Sequence, residues 1–192
     1  MPSRIVLVSG PPASGKTTIA RPLAEALGFA LLTKDDIKES LFTSLSGPPD
    51  DLAYSRQIGS AAMDLLWAVA AHCPQAILEA NFRTRSPRER EQVTTVLRRP
   101  GARLVEIHCR IPLDEAVRRF AQRARTDRHH PAHALKEISL DQLSEYSEPF
   151  ALSPVLTVDT TQAVNILALA NQTRELLALD AVPQRSSPGS TI

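Results

Sequence analysis

The chain has 192 residues, 43% of them hydrophobic, with 22 Lys+Arg against 21 Asp+Glu and a formal net charge of +1. That length suits one domain around one core, and the balanced charge sets aside a protein that depends on bulk attraction to nucleic acid or an anionic membrane. The longest apolar stretch, around 61–73, is interrupted by Asp64 and falls short of the roughly 18 uninterrupted residues of a membrane span, so a soluble protein without a membrane partner is expected.

Residues 1–4 lead directly into an apolar run, Ile5-Val6-Leu7-Val8, which reads as a first strand rather than a signal peptide. Gly10-Pro11-Pro12-Ala13-Ser14-Gly15-Lys16-Thr17 follows, with a helix-compatible pattern over 15–27. A second strand over 30–32 ends in Thr33-Lys34-Asp35-Asp36-Ile37-Lys38, and helices are expected over 36–42 and 51–72, separated by a turn-rich break at 44–50. A third strand over 76–78 runs into Glu79-Ala80-Asn81-Phe82-Arg83; Ser86-Pro87 then reads as an N-cap and an N1 proline opening a helix over 87–98. A fourth strand over 104–108, a helix over 113–125, a fifth strand over 155–158 and a last helix over 163–179 complete the series. Continuous apolar strands alternating with helices imply a parallel sheet covered on both faces, a three-layer α/β fold. Residues 1–181 read as one domain, and 182–192 as a disordered Ser/Pro/Gly tail. The two cysteines, Cys73 and Cys109, lie apart in apolar segments, which suits buried thiols in a reducing cytoplasm.

The segment Gly10 to Thr17 matches G-x-x-x-x-G-K-[ST] in full, in the strand-loop-helix setting that the motif needs. Such a loop wraps phosphates with backbone N–H groups, and the following helix directs its positive dipole end at them. Pro11 and Pro12 have no N–H to give. Gly10, Ala13, Ser14, Gly15, Lys16, Thr17 and Thr18 are therefore the candidate binders of ATP, with Lys16 reaching the β- and γ-phosphates and the Thr17 hydroxyl ligating Mg²⁺. The chain has no N-K-x-D guanine signature and no apolar strand ending in Asp-Glu, the mark of a water-activating ATPase. Its third strand ends in Glu79-Ala80-Asn81 instead, which suits phosphoryl transfer to an acceptor. Asp35 and Asp36 fall at the C-terminal edge of the sheet, where ligands of open α/β folds bind. One is expected to cap the next helix and the other to take a proton from an attacking hydroxyl. Asp36 is better placed to begin the helix, so Asp35 is the candidate base.

Together, Gly10 to Thr17, Lys34-Asp35-Asp36-x-Lys38, the strand ending Glu79-x-Asn81 and a late Arg-rich helix resemble the small P-loop kinases of the AAA_33 type. The likeness within that group is to the kinase domain of phage polynucleotide kinase, and more distantly to zeta-toxin, chloramphenicol phosphotransferase and gluconate kinase. The resemblance implies a five-stranded parallel sheet of order 2-3-1-4-5, Asp35 as general base, and an acceptor pocket containing Lys38, Glu79, Asn81 and Arg83. Lys38 stands where polynucleotide kinases carry an arginine that touches the acceptor phosphate, and Glu79 replaces a more usual Asp. In similar kinases an Arg pair opens the lid; Arg119 and Arg123, four residues apart on one helix face, take those places, the first against adenine and the second against the transferring phosphate. A solvated helix with Asp114–Arg118 and Glu115–Arg119 ion pairs is the plainer reading of the same residues. His129-His130-Pro131-Ala132-His133 lacks partners at metal-ligand spacing and reads as a lid loop. Asp159 is expected to cap the last helix. The expectation is an ATP·Mg²⁺-dependent kinase, monomeric or homodimeric, acting on a hydroxyl of a small molecule. A 5′-hydroxyl polynucleotide is the alternative acceptor, disfavoured by the charge balance and the 4% aromatic content. A nucleotide switch without an acceptor is the rival from another class.

Overall fold

A computed structural model describes residues 2–126 and 130–178; the tail expected at 182–192 lies outside the described residues. Five strands, β1 (Arg4–Ser9), β2 (Ala30–Thr33), β3 (Gln75–Glu79), β4 (Arg103–Arg110) and β5 (Val155–Asp159), form one sheet. All neighbours pair in parallel, in the order β2-β3-β1-β4-β5, which is the topology the resemblance implied. The helices are α1 (Lys16–Leu27), α2 (Lys34–Ser44), α3 (Leu52–Ala70), α4 (Pro87–Leu97), α5 (Leu113–Ala124), α6 (Leu140–Ser144) and α7 (Ile166–Leu176).

The alternation of side chains along a strand divides the core in two. Val6 and Val8 of β1 face a cluster with Ile19, Leu23, Ile107 and Leu169, under α1 and α7. Ile5 and Leu7 face Leu66, Trp67, Phe82 and Phe150, under α3 and α4. Both faces of the central strand are thus buried, which is why its sequence is apolar without a polar alternation. Each fully buried Leu or Ile side chain contributes about 1.5–3 kcal/mol.

Three local expectations are corrected. Neither Asp35 nor Asp36 caps α2. The strand ends one residue later than its apolar run, and Thr33 is the N-cap, its hydroxyl oxygen accepting from the Asp36 N–H at 3.0 Å. Both aspartates then sit in the first turn, where the helix dipole favours them. Similarly, Asn165 and not Asp159 caps α7; Asp159 accepts from the N–H and hydroxyl of Thr161 in a local turn. The short α6 was not anticipated, although Ser139 and Gln142 form a complete capping box at its start.

Because the sheet is parallel, the C-terminal ends of β1, β2 and β3 lie side by side. They deliver the loop at residues 10–15, the start of α2 and the segment after Glu79 to one edge.

Candidate active site

The loop after β1 is shaped by glycine backbone. Gly10 has φ +132, and a Cβ built there would stand 2.4 Å from the carbonyl oxygen of Cys109, so no other residue fits without displacing β4. Gly15 is the N-cap of α1 in the left-handed conformation and supplies no side-chain cap. The first-turn N–H groups of Lys16, Thr17 and Thr18 consequently have no intrahelical partner and face the loop. The N–H of Ser14 is used within the loop, on Pro11 O at 3.1 Å, while its hydroxyl is buried with no partner among the described residues. An uncapped helix start beside a buried, unpaired hydroxyl is a cradle suited to phosphate oxygens. Lys16 is buried and its ammonium donates to Gly10 O and Pro11 O at 3.1 and 2.7 Å. Burial lowers its pKa, against the opposing charges of Glu79 and Asp35. The Cys109 thiol behind the loop is pushed by burial up to about 12, so it stays protonated.

Thr17 donates its hydroxyl hydrogen to Glu79 Oε2 at 3.0 Å. Glu79 is 5% exposed; burial raises its pKa, Asp35 pushes the same way, and Lys16 and the Thr17 hydroxyl oppose it. The Thr17 hydroxyl and the Glu79 carboxylate form the all-oxygen donor set that Mg²⁺ prefers.

Asp35 lies at the start of α2. Lys34 donates to its Oδ1 at 2.7 Å. Burial would push this carboxyl up, but the charge and hydrogen bond of Lys34, with His133 and Lys16, outweigh it and hold the pKa below the usual carboxylate range. Asp36 points elsewhere, to Arg21 at 3.3 Å on the exposed surface. The structure thus separates the two aspartates: Asp35 shares its electrostatic surroundings with Lys16 and Glu79, whereas Asp36 is a surface ion pair.

Beside this cluster opens a cavity of about 580 Å³ between α3, α4 and the segment after α5, and Lys34, Lys38, Asn81 and Arg83 all line it. Lys38 is 6% exposed and donates to Ser55 Oγ at 2.8 Å. Arg83 pairs with Glu145 at 3.6 Å, and Tyr146 raises its pKa. Arg119 is held by Glu115 at 2.7 Å and donates to Thr160 O at 3.5 Å; a Cβ added at Gly15 would meet the Thr160 Cβ at 3.8 Å, which places Thr160 beside the phosphate loop. Glu115 binds Arg118 as well, so the expected Asp114–Arg118 pair is replaced by a Glu115 fork. Arg123 is exposed over the Phe120 ring at 5.7 Å, and its charge is felt at Lys16.

Two features were not foreseen. The segment after α5 lies across α2 and α3: Ala132 is fully buried, its carbonyl accepts from Ser55 Oγ at 2.6 Å, and His130 packs edge-on against Phe42. His133 consequently reaches α2, where Nε2 and Glu39 Oε1 are 2.9 Å apart; burial lowers its pKa, and Asp35 and Glu39 oppose that. Deeper in the sheet, Ser9 donates to Glu106 Oε1 at 2.7 Å and contacts His108 Nδ1 at 2.9 Å. Glu106 also accepts the N–H groups of Phe150 and Ala151 at 3.1 and 3.3 Å. A glutamate inside the apolar run Leu104-Val105-Glu106-Ile107 was the signal for this network, since a buried charge requires partners.

The family model AAA_33, described as an AAA domain, matches residues 5–149. No curated protein matches the chain. Among solved structures, a protein of Chloroflexus aurantiacus j-10-fl provisionally described as a kinase superposes with a TM-score of 0.80 at 29% identity, covering 92% of this chain and 99% of its own. A gluconokinase from Sinorhizobium meliloti 1021 has a TM-score of 0.52 at 18% identity, over 92% of this chain and 91% of its own. A shikimate kinase from Acinetobacter baumannii has a TM-score of 0.55 at 17% identity, over 93% of this chain and 94% of its own. The last two share the fold.

Proposed function

The chain belongs to the AAA_33 family, and we propose that it is an ATP-dependent phosphotransferase that moves the γ-phosphoryl group to a hydroxyl of a small molecule. The observation that carries this reading is the joining of a phosphate-binding loop to an acceptor cavity by one charge-coupled cluster. Glu79 and Asp35 both act on Lys16, Lys16 acts on both of them, and Asp35 acts on Glu79; Lys34, which holds Asp35, lines the cavity. The described neighbours, all P-loop kinases in fold, support the same class of chemistry.

In this reading the N–H groups at 13–18 that remain free hold the β- and γ-phosphates, and Lys16 leaves its two loop carbonyls to follow the transferring group. Thr17 and Glu79 would hold Mg²⁺, which supplies charge neutralisation on the phosphate oxygens. The acceptor oxygen forms its bond to γ-phosphorus as the bond to the ADP oxygen breaks, and the hydroxyl proton passes to Asp35, which later returns it to water. Asp35, ionised throughout the neutral range, is always ready to accept. Arg123 neutralises the charge of the transferring group, and Arg119 lies against the nucleotide base beside Thr160.

The test is incubation with Mg²⁺ and γ-labelled ATP in the presence of sugars, hydroxy acids, nucleosides and a 5′-hydroxyl oligonucleotide, for the wild type and Asp35→Asn. Label on a small molecule is expected, with turnover reduced about 10²–10⁴-fold in the variant and ATP affinity nearly unchanged. Label found only in free phosphate would refute the kinase reading, and an unaffected variant would refute Asp35 as the base.

A further inference from the structure

The acceptor cavity carries an imbalance of charge that points to the chemistry of its ligand. Five cationic residues line it: Lys34, Lys38, Arg56, Arg83 and Arg88. Three of these are already neutralised, Lys34 by Asp35 at 2.7 Å, Arg83 by Glu145 at 3.6 Å and Arg88 by Asp64 at 2.5 Å. The other two are not. Lys38 is 6% exposed, yet its polar partner is the hydroxyl of Ser55, and no carboxylate of the described residues lies within ion-pair distance. Arg56, on the next residue of α3, makes no hydrogen bond or ion pair to any described residue. The remaining carboxylate in the lining, Glu89, accepts the backbone N–H of Arg83 on one oxygen at 2.8 Å and forms no ion pair with Lys38 or Arg56, so cations still outnumber carboxylates around the cavity.

A buried ammonium without a counter-ion is costly unless something else supplies the charge. Lys38 is not merely bridging two helices, because a Ser55 hydroxyl could be satisfied by Ala132 O alone, to which it already donates at 2.6 Å. The stem of Lys38 runs over Gly59, where an added Cβ would meet its Cε at 3.8 Å, so the ammonium is carried along α3 toward the cavity. Burial, with the charge of Lys34 acting the same way, lowers the Lys38 pKa to about 8 against the pull of Asp35 and Glu39. The group is therefore mostly charged near pH 7.

Resting on the kinase reading above, we propose that the acceptor is an anion: a small hydroxyl compound that also bears a carboxylate or phosphate group, which Lys38 and Arg56 bind. Apolar lining from Leu52, Met63 and Ile138 suits the carbon frame of such a molecule, and Asn81 and Glu89 offer partners for further hydroxyls. Charge-assisted hydrogen bonds of this kind are about twice as strong as neutral ones, so charge on the acceptor dominates selection.

Pairs in which one member carries that charge and the other does not decide the matter. Glycerate and glycerol 3-phosphate are compared with glycerol, and gluconate and glucose 6-phosphate with glucose, each with γ-labelled ATP and Mg²⁺, for the wild type, Lys38→Met and Arg56→Gln. The charged member of a pair is expected to be the better substrate. Lys38→Met is expected to lower its kcat/KM by about tenfold or more, mainly through acceptor KM, with the KM for ATP unchanged. Arg56 is exposed, so Arg56→Gln leaves the fold intact, and a smaller loss of about threefold in the same ratio is expected. Which charged member is preferred separates the carboxylate from the phosphate source. If the neutral members are phosphorylated as well as the charged ones, or if both variants keep the wild-type discrimination, the anion proposal falls while the kinase reading stands. If no acceptor is labelled and only free phosphate appears, the kinase reading fails and the proposal with it.

Discussion

Replacing Lys34 with Met removes the strongest influence holding Asp35 in its ionised form. The ammonium lies 2.7 Å from Oδ1, with 15% of the lysine side chain and 38% of the aspartate side chain exposed. A hydrogen bond to a charged group is worth about 1.5–3 kcal/mol; with Asp35 more than a third exposed, solvent screening reduces this to about 1–2 kcal/mol. One pKa unit corresponds to about 1.4 kcal/mol, so the substitution is expected to raise Asp35 by about one unit, toward the value that burial alone favours. The sign follows from the role of a base. A carboxyl held low stays deprotonated as pH falls, so the wild-type enzyme loses activity only in strong acid, and a raised pKa brings the loss to higher pH. The assay is kcat against pH from about 2 to 7 at saturating ATP and acceptor. The same linkage appears in stability. A depressed Asp35 stabilises the fold above its unfolded pKa of about 3.9, and that contribution is lost as pH falls through the folded value. The Tm difference between wild type and Lys34→Met, about 2–4 °C per kcal/mol for a chain of this size, is thus expected at pH 7 and should shrink in acid. An acid limb that stays in place, or moves to lower pH, would refute this account of Asp35.

Gly10→Ala is expected to lose at least about 3 kcal/mol, from the positive φ and from a Cβ 2.4 Å from a backbone oxygen, lowering Tm by about 6–12 °C. Gly28, at φ +71 with nothing within 4 Å, should lose only about 1 kcal/mol as Ala, and equal melting shifts for the two would contradict the packing argument. Glu106→Ala leaves the Ser9 hydroxyl and two backbone N–H groups without their buried acceptor and should destabilise by about 3–5 kcal/mol, read as a fall in the midpoint of urea unfolding. A midpoint within error of the wild type would show that the network is not structural.

The legible parts of this protein are those whose partners are close in sequence. The phosphate loop is contiguous from Gly10 to Thr17, and its backbone geometry is written in its glycines; the central strands β1, β3 and β4 announce themselves because both their faces are buried. Asp35 was legible for a topological reason, since a carboxylate following the second strand of a parallel sheet must emerge at the same edge as the loop following the first. The structure separates Asp35 from Asp36, but by a cause other than the cap expected from the sequence. The sequence suggested a cap at Asp36, whereas Thr33 caps the helix and the helical turn itself sends Asp36 to Arg21 and leaves Asp35 with Lys34. Where partners are distant, pattern alone fails. Ser9 meets Glu106 and His108 across the β1–β4 register, in which Ser9 lies opposite His108, at sequence separations of 97 and 99. His133 was read as part of a loop because nothing local signals that Ala132 docks between α2 and α3. That docking depends on a hydrogen bond from Ser55, 77 residues earlier. The consequence is functional as well as structural. Ser55 accepts from Lys38 and donates to Ala132 O, so the buried cation of the acceptor cavity and the segment that carries His133 toward Asp35 share one hydroxyl. A change that shifts this segment must disturb the surroundings of both Lys38 and Asp35, the two residues proposed above to bind the acceptor and to take its proton.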